Sequence, residues 1–138
     1  MEFATTFYMH RESGGLLIGM ADPNDEPGYR DTVNWDFLPT VVGRALARLP
    51  LLERSGIRSA WAGMYEDTPD KHPLLGRVDG VDGFIIAAGF SGHGLMHAPA
   101  TGEVIAELIA DGRTSLDIAP LALSRFVRGE AIRELNVI

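Results

Sequence analysis

No cysteine occurs among the 138 residues, which removes disulfide frameworks, thiolate nucleophiles and Cys-ligated metals together. That composition suits a reducing compartment, and a cytoplasmic setting is the expectation. Basic clusters are lacking too. Twelve Lys+Arg stand against nineteen Asp+Glu, for a net charge of -7 and a pI near 4.9, so a phosphate-backbone partner is excluded. No apolar run approaches the roughly 20 residues that cross a bilayer, and the opening MEFATTFYMHRES lacks the basic-then-apolar order of a signal peptide. Neither nucleic acid nor a membrane is therefore expected as a partner. Repeats and low-complexity tracts are missing as well. What is present, 46% hydrophobic and 22% charged residues, is the balance of an ordinary folded domain with apolar material for a core.

The pattern along the chain predicts alternating short elements. Thr5 to His10 is β-branched and aromatic, Arg11 to Gly15 has turn chemistry, and Leu16 to Met20 returns as an apolar strand, which together read as a hairpin. The loop ADPNDEPGYR follows. Asp36 then stands as N-cap of a helix from Phe37 to about Leu49, with Leu38, Val41, Val42, Ala45, Leu46 and Leu49 on its buried face, Arg44 and Arg48 outward, and Pro50 helping to end it. IRSAWAGMYE, from Ile57, reads as an interior strand apolar on both faces. Leu74 to Val78 and Phe84 to Ala88 read as further strands. Ala98-Pro99 opens a helix with Pro99 in its first turn, Val104, Ile105, Leu108 and Ile109 form its buried stripe, and Gly112 stops it. A turn around Pro120, a short helix and an apolar end complete the chain.

Between the strand FIIAA and the last long helix lies GFSGHGLM, residues 89 to 96. Strand, glycine turn and helix is the architecture of a dinucleotide fingerprint, yet Gly89, Gly92 and Gly94 are spaced GxxGxG rather than GxGxxG. The physics beneath that motif survives: a helix N-terminus offers unpaired N–H groups and about half a positive charge to an electron-rich ligand atom. Two readings remain open from the residues alone, a ligand-binding loop or a sharp packing corner. Other chemistries fit less well. A nucleophile elbow GxSxG fails at His93, which stands where the second glycine is needed. His93 and His97, four apart, have no Glu between them and no third metal ligand, so no metal site is expected. His72 and His10 read as surface positions.

WAGMYEDTPDKHPLLG followed by FIIAAGFSGHGLMHAPATGEVIAELI resembles part of the FAD-dependent amine and amino-acid oxidoreductases, the family of D-amino-acid oxidase, glycine oxidase, sarcosine oxidase and dimethylglycine dehydrogenase. With the flanking hairpin and helix the likeness covers nearly the whole chain. The ending RFVRGEAIRELNVI looks most like a subgroup with β-type sarcosine oxidases and a mitochondrial FAD-dependent factor for respiratory complex I assembly. The resemblance implies an α+β segment: a mixed-sheet substrate-domain portion over residues 1–66, and the C-terminal strand and helix of an FAD-binding domain over 67–138. It implies that Gly63, Gly89, Phe90, Ser91, Gly92, His93, Gly94, Leu95 and Met96 face the flavin, with Tyr65 and His93 as the candidate catalytic residues lining the substrate side. The implied chemistry is hydride transfer from a C–H next to an amine nitrogen to flavin N5, giving an imine that water hydrolyses.

Departures from the family pattern carry expectations of their own. Tyr65-Glu66 stands where glycine oxidase and D-amino-acid oxidase have an Arg-Pro pair whose Arg clamps the substrate carboxylate. Gly63 stands where monomeric sarcosine oxidase tethers its flavin through Cys, so FAD is expected to be non-covalent. Met96 replaces a Lys tied to oxygen activation, which implies a dehydrogenase-type electron acceptor. The GxGxxG strand–helix unit that grips the FAD pyrophosphate does not occur in these residues. The resemblance thus implies a C-terminal segment that is incomplete and inactive alone, needs an N-terminal FAD-binding half or another subunit for tight FAD binding, acts on a small-molecule amine or amino acid, and homo-oligomerises when expressed alone. The alternative is a flavin-free interaction or assembly module on the same scaffold.

Overall fold

The computed structural model describes residue 2 and residues 4–132, which fall into two compact units, one up to Met64 and one from Tyr65 onward. Residues 133–138, the end of RFVRGEAIRELNVI, lie outside the described residues. The mixed α and β character expected from the sequence is present, as helices with two separate two-stranded antiparallel sheets.

The first unit opens on the expected hairpin, β1 (Tyr8–Glu12) against β2 (Gly15–Gly19), with Tyr8 opposite Gly19 and Glu12 opposite Gly15. Ser13 and Gly14 form the turn with φ of 46° and 82°, the mirror-image geometry whose twist matches that of paired strands. The ring of Tyr8 covers Gly19 so closely that any Cβ there would collide with it. Helix α1 (Leu38–Arg48) carries Pro39 in its first turn and ends before Pro50, which begins a 3₁₀ segment (Pro50–Arg54). Asp36 does not cap α1. The N-cap is Phe37, one residue further on, with helical backbone and no side-chain bond, and the Asn34 side chain accepts from the Asp36 N–H at 3.1 Å in the turn before it. Among the described residues of this unit, Ala45 and Phe7 are the buried apolar ones. Arg44 and Arg48 face outward towards Glu2, which Arg48 hydrogen-bonds. The Thr5 hydroxyl and then Arg48 hold the Glu2 carboxyl below its ordinary range.

The strand expected from Ile57 to Glu66 does not form. Residues 55–68 are neither helix nor strand, and Ile57 and Trp61 are 57% and 70% exposed. A strand exists only as a member of a ladder, and among the described residues no other strand pairs with this segment.

In the second unit β3 (Leu74–Arg77) pairs with β4 (Ile85–Ala88), Leu74 opposite Ala88 and Arg77 opposite Ile85, as the strand signals predicted. Helix α2 (Gly94–Ala110) starts at Gly94, not at Ala98, and so carries Pro99 inside it. Proline there removes the bond to the Leu95 carbonyl, a loss confined to the second turn. Val104 and Leu108, four apart, form the buried stripe of α2, which packs on β3 where Leu75 is also buried, whereas Ile109, expected in that stripe, is 66% exposed. One residue on from Leu108, it lies about 100° round the helix. Each such buried aliphatic side chain contributes roughly 1.5–3 kcal/mol. The Arg77 guanidinium donates to the Leu108 carbonyl at 2.9 Å and ties the strand to the helix. Beyond α2, which stops ahead of Gly112 as expected, a 3₁₀ turn (Ala119–Leu121) packs on β3 and leads into the short helix α3 (Arg125–Arg128).

Candidate functional site

Strand β4 delivers the chain into the glycine turn, and three residues make the bend possible with positive φ: Gly89 at 70°, Ser91 at 49° and Gly92 at 85°. Ser91 is fully buried, its hydroxyl 3.4 Å from the Gly89 carbonyl and its N–H donating to the Glu66 carbonyl at 3.3 Å. The His93 N–H closes onto the Phe90 carbonyl at 2.9 Å, and α2 begins with the next residue. His93 is the N-cap, but its side chain makes no capping bond and no acidic residue stands in the first turn. The first intrahelical bond runs from the His97 N–H to the His93 carbonyl. The N–H groups of Gly94, Leu95 and Met96 therefore lead an uncapped, un-neutralised positive helix end. Leu95 is 93% exposed, and Gly92 and Met96 are exposed with it.

Tyr65 stands over this turn. A Cβ on Gly92 would lie 3.1 Å from Tyr65 Cζ, so the ring rests on bare backbone, while the side chain remains half exposed. Phe90 packs beneath: a Cβ on Gly94 would lie 3.5 Å from Phe90 Cβ. The rings of His93 and Phe90 lie 6.0 and 6.2 Å from that of His97.

Behind the turn is a buried polar hub that the sequence did not reveal. The Arg125 Nε and Nη2 donate to the two carboxylate oxygens of Asp70 at 2.7 and 2.8 Å, Nη2 also donates to the His72 carbonyl at 2.9 Å, and Nη1 reaches the Leu121 and Ala122 carbonyls. All five guanidinium donors are thereby used, which allows Arg125 to be fully buried. Asp70 also accepts from the N–H groups of His72 and Ile132. The Arg125 hydrogen bonds outweigh burial and hold the Asp70 carboxyl well below its ordinary value of 3.8. Thr68, also buried, donates to the His72 carbonyl at 2.7 Å, lies 3.1 Å from Asp70 Oδ1, and presses its methyl against Gly89 where a Cβ would otherwise be.

Of the residues singled out from the sequence, Tyr65 and the run Gly89 to Met96 come together around one turn. Gly63 lies in the preceding unit with open space at its Cα. Thr68, Asp70 and Arg125 were missed; the turn-forming run TPDKHP was their one local signal. A shallow depression of about 600 Å³, lined by Leu108 and residues from Gly112 to Ala119, lies at the other end of α2. Among the described residues no cluster of three or more His, Asp or Glu is gathered to hold a metal, and no helix is long and apolar enough to cross a membrane.

Comparison with known proteins places this geometry among relatives. Residues 1–108 match the family model described as FAD dependent oxidoreductase. The bovine "FAD-dependent oxidoreductase domain-containing protein 1" is 38% identical over 135 residues, covering 92% of this chain and 28% of the relative. Among solved structures, L-proline dehydrogenase from P. horikoshii superposes with a TM-score of 0.84 at 40% identity over 92% of this chain and 34% of its own. Glycine oxidase from Geobacillus kaustophilus does so at 0.79 and 29% identity, over 86% of this chain and 32% of its own. The chain thus spans about a third or less of each relative's length.

Proposed function

The chain belongs to the FAD-dependent oxidoreductase family, and from that premise we propose that it forms the flavin-ring-facing part of an enzyme oxidising a C–H next to the nitrogen of an amino acid or N-methyl amino acid. The observation that carries the reading is the uncapped start of α2 behind the exposed backbone of Gly92. These residues fit the group. The Cα face of Gly92 is taken by the Tyr65 ring, so what these residues offer a flat, electron-rich ring is the helix start at Gly94 and the exposed Leu95 and Met96, with its free N–H groups. The reduced ring is an anion, and free N–H groups at a helix end stabilise negative charge where it develops.

In this reading Gly89, Phe90, Ser91, Gly92, Gly94, Leu95 and Met96 would hold the ring non-covalently. Bound FAD would supply the hydride acceptor for the substrate C–H. The chain's own contribution is binding and orientation. Tyr65, seated on Gly92, and His93, at the helix start, line the substrate side. No Arg follows Gly63-Met64 to clamp a carboxylate, and Met96 in the first turn favours an acceptor other than dioxygen. The names of the two structural relatives support the substrate class, since proline and glycine both carry a C–H next to an amine nitrogen. Tight FAD binding draws on a GxGxxG unit that these residues do not contain.

The test is a titration of FAD into the full chain, followed by its visible absorption and flavin fluorescence. Weak binding with a perturbed flavin spectrum is expected. No perturbation at saturating FAD would count against the reading and leave the flavin-free module.

A further inference from the structure

We propose that Thr68 is a positioning residue for the glycine turn, transmitting the rigidity of the buried Arg125–Asp70 pair to the backbone from Gly89 to Gly92; that this turn is the flavin-facing one rests on the function proposed above. Thr68 has two ends, and each is engaged. Its hydroxyl is held at the hub, 2.7 Å from the His72 carbonyl and 3.1 Å from Asp70 Oδ1, the same two acceptors that Arg125 Nη2 grips. Its methyl fills the space at Gly89 where a Cβ would otherwise be. Two residues before Thr68, the Glu66 carbonyl takes the N–H of Ser91, and one residue before that, Tyr65 covers Gly92. The segment from Tyr65 to Thr68 thus touches three of the turn's residues although no strand ladder fixes it. What fixes it is the hub at its C-terminal end.

The shape of the turn sets where the first-turn N–H groups of α2 point. Ser91 holds a left-handed backbone without being glycine, a conformation that persists only when its surroundings impose it. Thr68 and Glu66 supply that imposition. Arg125 and Asp70 act at one remove, by holding Thr68.

Three variants of the full chain separate the two ends. Thr68→Val keeps the methyl and loses the hydroxyl, Thr68→Ser does the reverse, and Thr68→Ala loses both. None orphans an acceptor, since Asp70 Oδ1 and the His72 carbonyl keep Arg125, so the fold is retained. Amide hydrogen exchange at Ser91 and His93, whose N–H groups donate to the Glu66 and Phe90 carbonyls, is the readout. In Thr68→Ala it should accelerate by about tenfold or more, as when one net hydrogen bond is lost, with the Val and Ser variants between it and the parent and with amides of β3, β4 and α2 unchanged. Unchanged exchange at Ser91 in Thr68→Ala, or equal acceleration at every amide, overturns the proposal. FAD titration of the same proteins tests the reading beneath it: the flavin spectral change should weaken in Thr68→Ala, whereas no change with any of the four chains, parent included, sinks the flavin reading while leaving the exchange result to decide the coupling.

Discussion

Replacing Arg125 by Met removes the centre of the polar hub while keeping side-chain length and much of its volume. Its side chain is 0% exposed and that of Asp70 3%, so the carboxylate loses its cation in a site water does not reach. Breaking such a pair from one side costs about 3–5 kcal/mol, because a buried charge is left uncompensated. The N–H groups of His72 and Ile132 and the Thr68 hydroxyl still reach Asp70 and soften that loss. The Leu121 and Ala122 carbonyls, deprived of Arg125 Nη1, add to it. With a urea slope of about 2 kcal/mol/M, a 4 kcal/mol loss lowers the unfolding midpoint of the second unit by roughly 2 M. Far-UV ellipticity follows it, since α2, at 17 residues, is the longest helix among the described residues. Arg128→Met is the control: its partner Glu130 is 59% exposed and its own side chain 45%, and exposed pairs contribute about 0–1 kcal/mol. Equal midpoints for the Arg125 and Arg128 variants would refute the assignment of the hub as the anchor of this unit.

Acid tests the same pair from the other side. Asp70 has a folded pKa below its unfolded value of 3.8, so its ionised form contributes stability in full above that value, and the contribution is lost as pH falls through the lower folded one. The parent should therefore keep its α2 ellipticity to lower pH than Arg125→Met, and coincident acid transitions would contradict the linkage. Gly92→Val meets both a φ of 85° and the Tyr65 ring 3.1 Å from its Cβ; a destabilisation of at least about 1–2 kcal/mol is expected from the left-handed backbone alone, with loss of the flavin spectral change, and an unaltered flavin titration would show that the ring lies elsewhere. At Gly14, φ is 82° and nothing lies within 4 Å of an added Cβ, so Gly14→Ala should cost only the backbone strain of about 1–2 kcal/mol. Urea unfolding followed by Trp35 and Trp61, both in the first unit, measures that cost, and an unshifted midpoint would argue against the mirror-image turn.

Where a feature depends on residues next to one another, it could be read without coordinates. Arg11 to Gly15 between two apolar runs specified the first hairpin, because a two-residue turn with positive φ at both positions is a local property of Ser-Gly. The strands around Leu74 and Phe84, the glycine turn and the family resemblance were legible for the same reason. Boundaries were less so: Pro99 looked like a helix start, yet the three residues before His97 need no intrahelical N–H partner and the turn at Gly92 already sets the helical direction, so α2 begins at Gly94. IRSAWAGMYE has the composition of a strand and is none among the described residues, since composition supplies faces but only a neighbour supplies a ladder. Least visible was the hub. Asp70 and Arg125 are 55 positions apart, and a charged pair becomes strong only where packing excludes water, which neither residue's neighbours in sequence can announce. The order of amino acids by itself determined the turns, the short strands and the family. Tertiary packing alone decided which carboxylate met which guanidinium, and how firmly the turn at Gly89 to Gly92 is held, because those depend on solvent exclusion around groups distant in the chain.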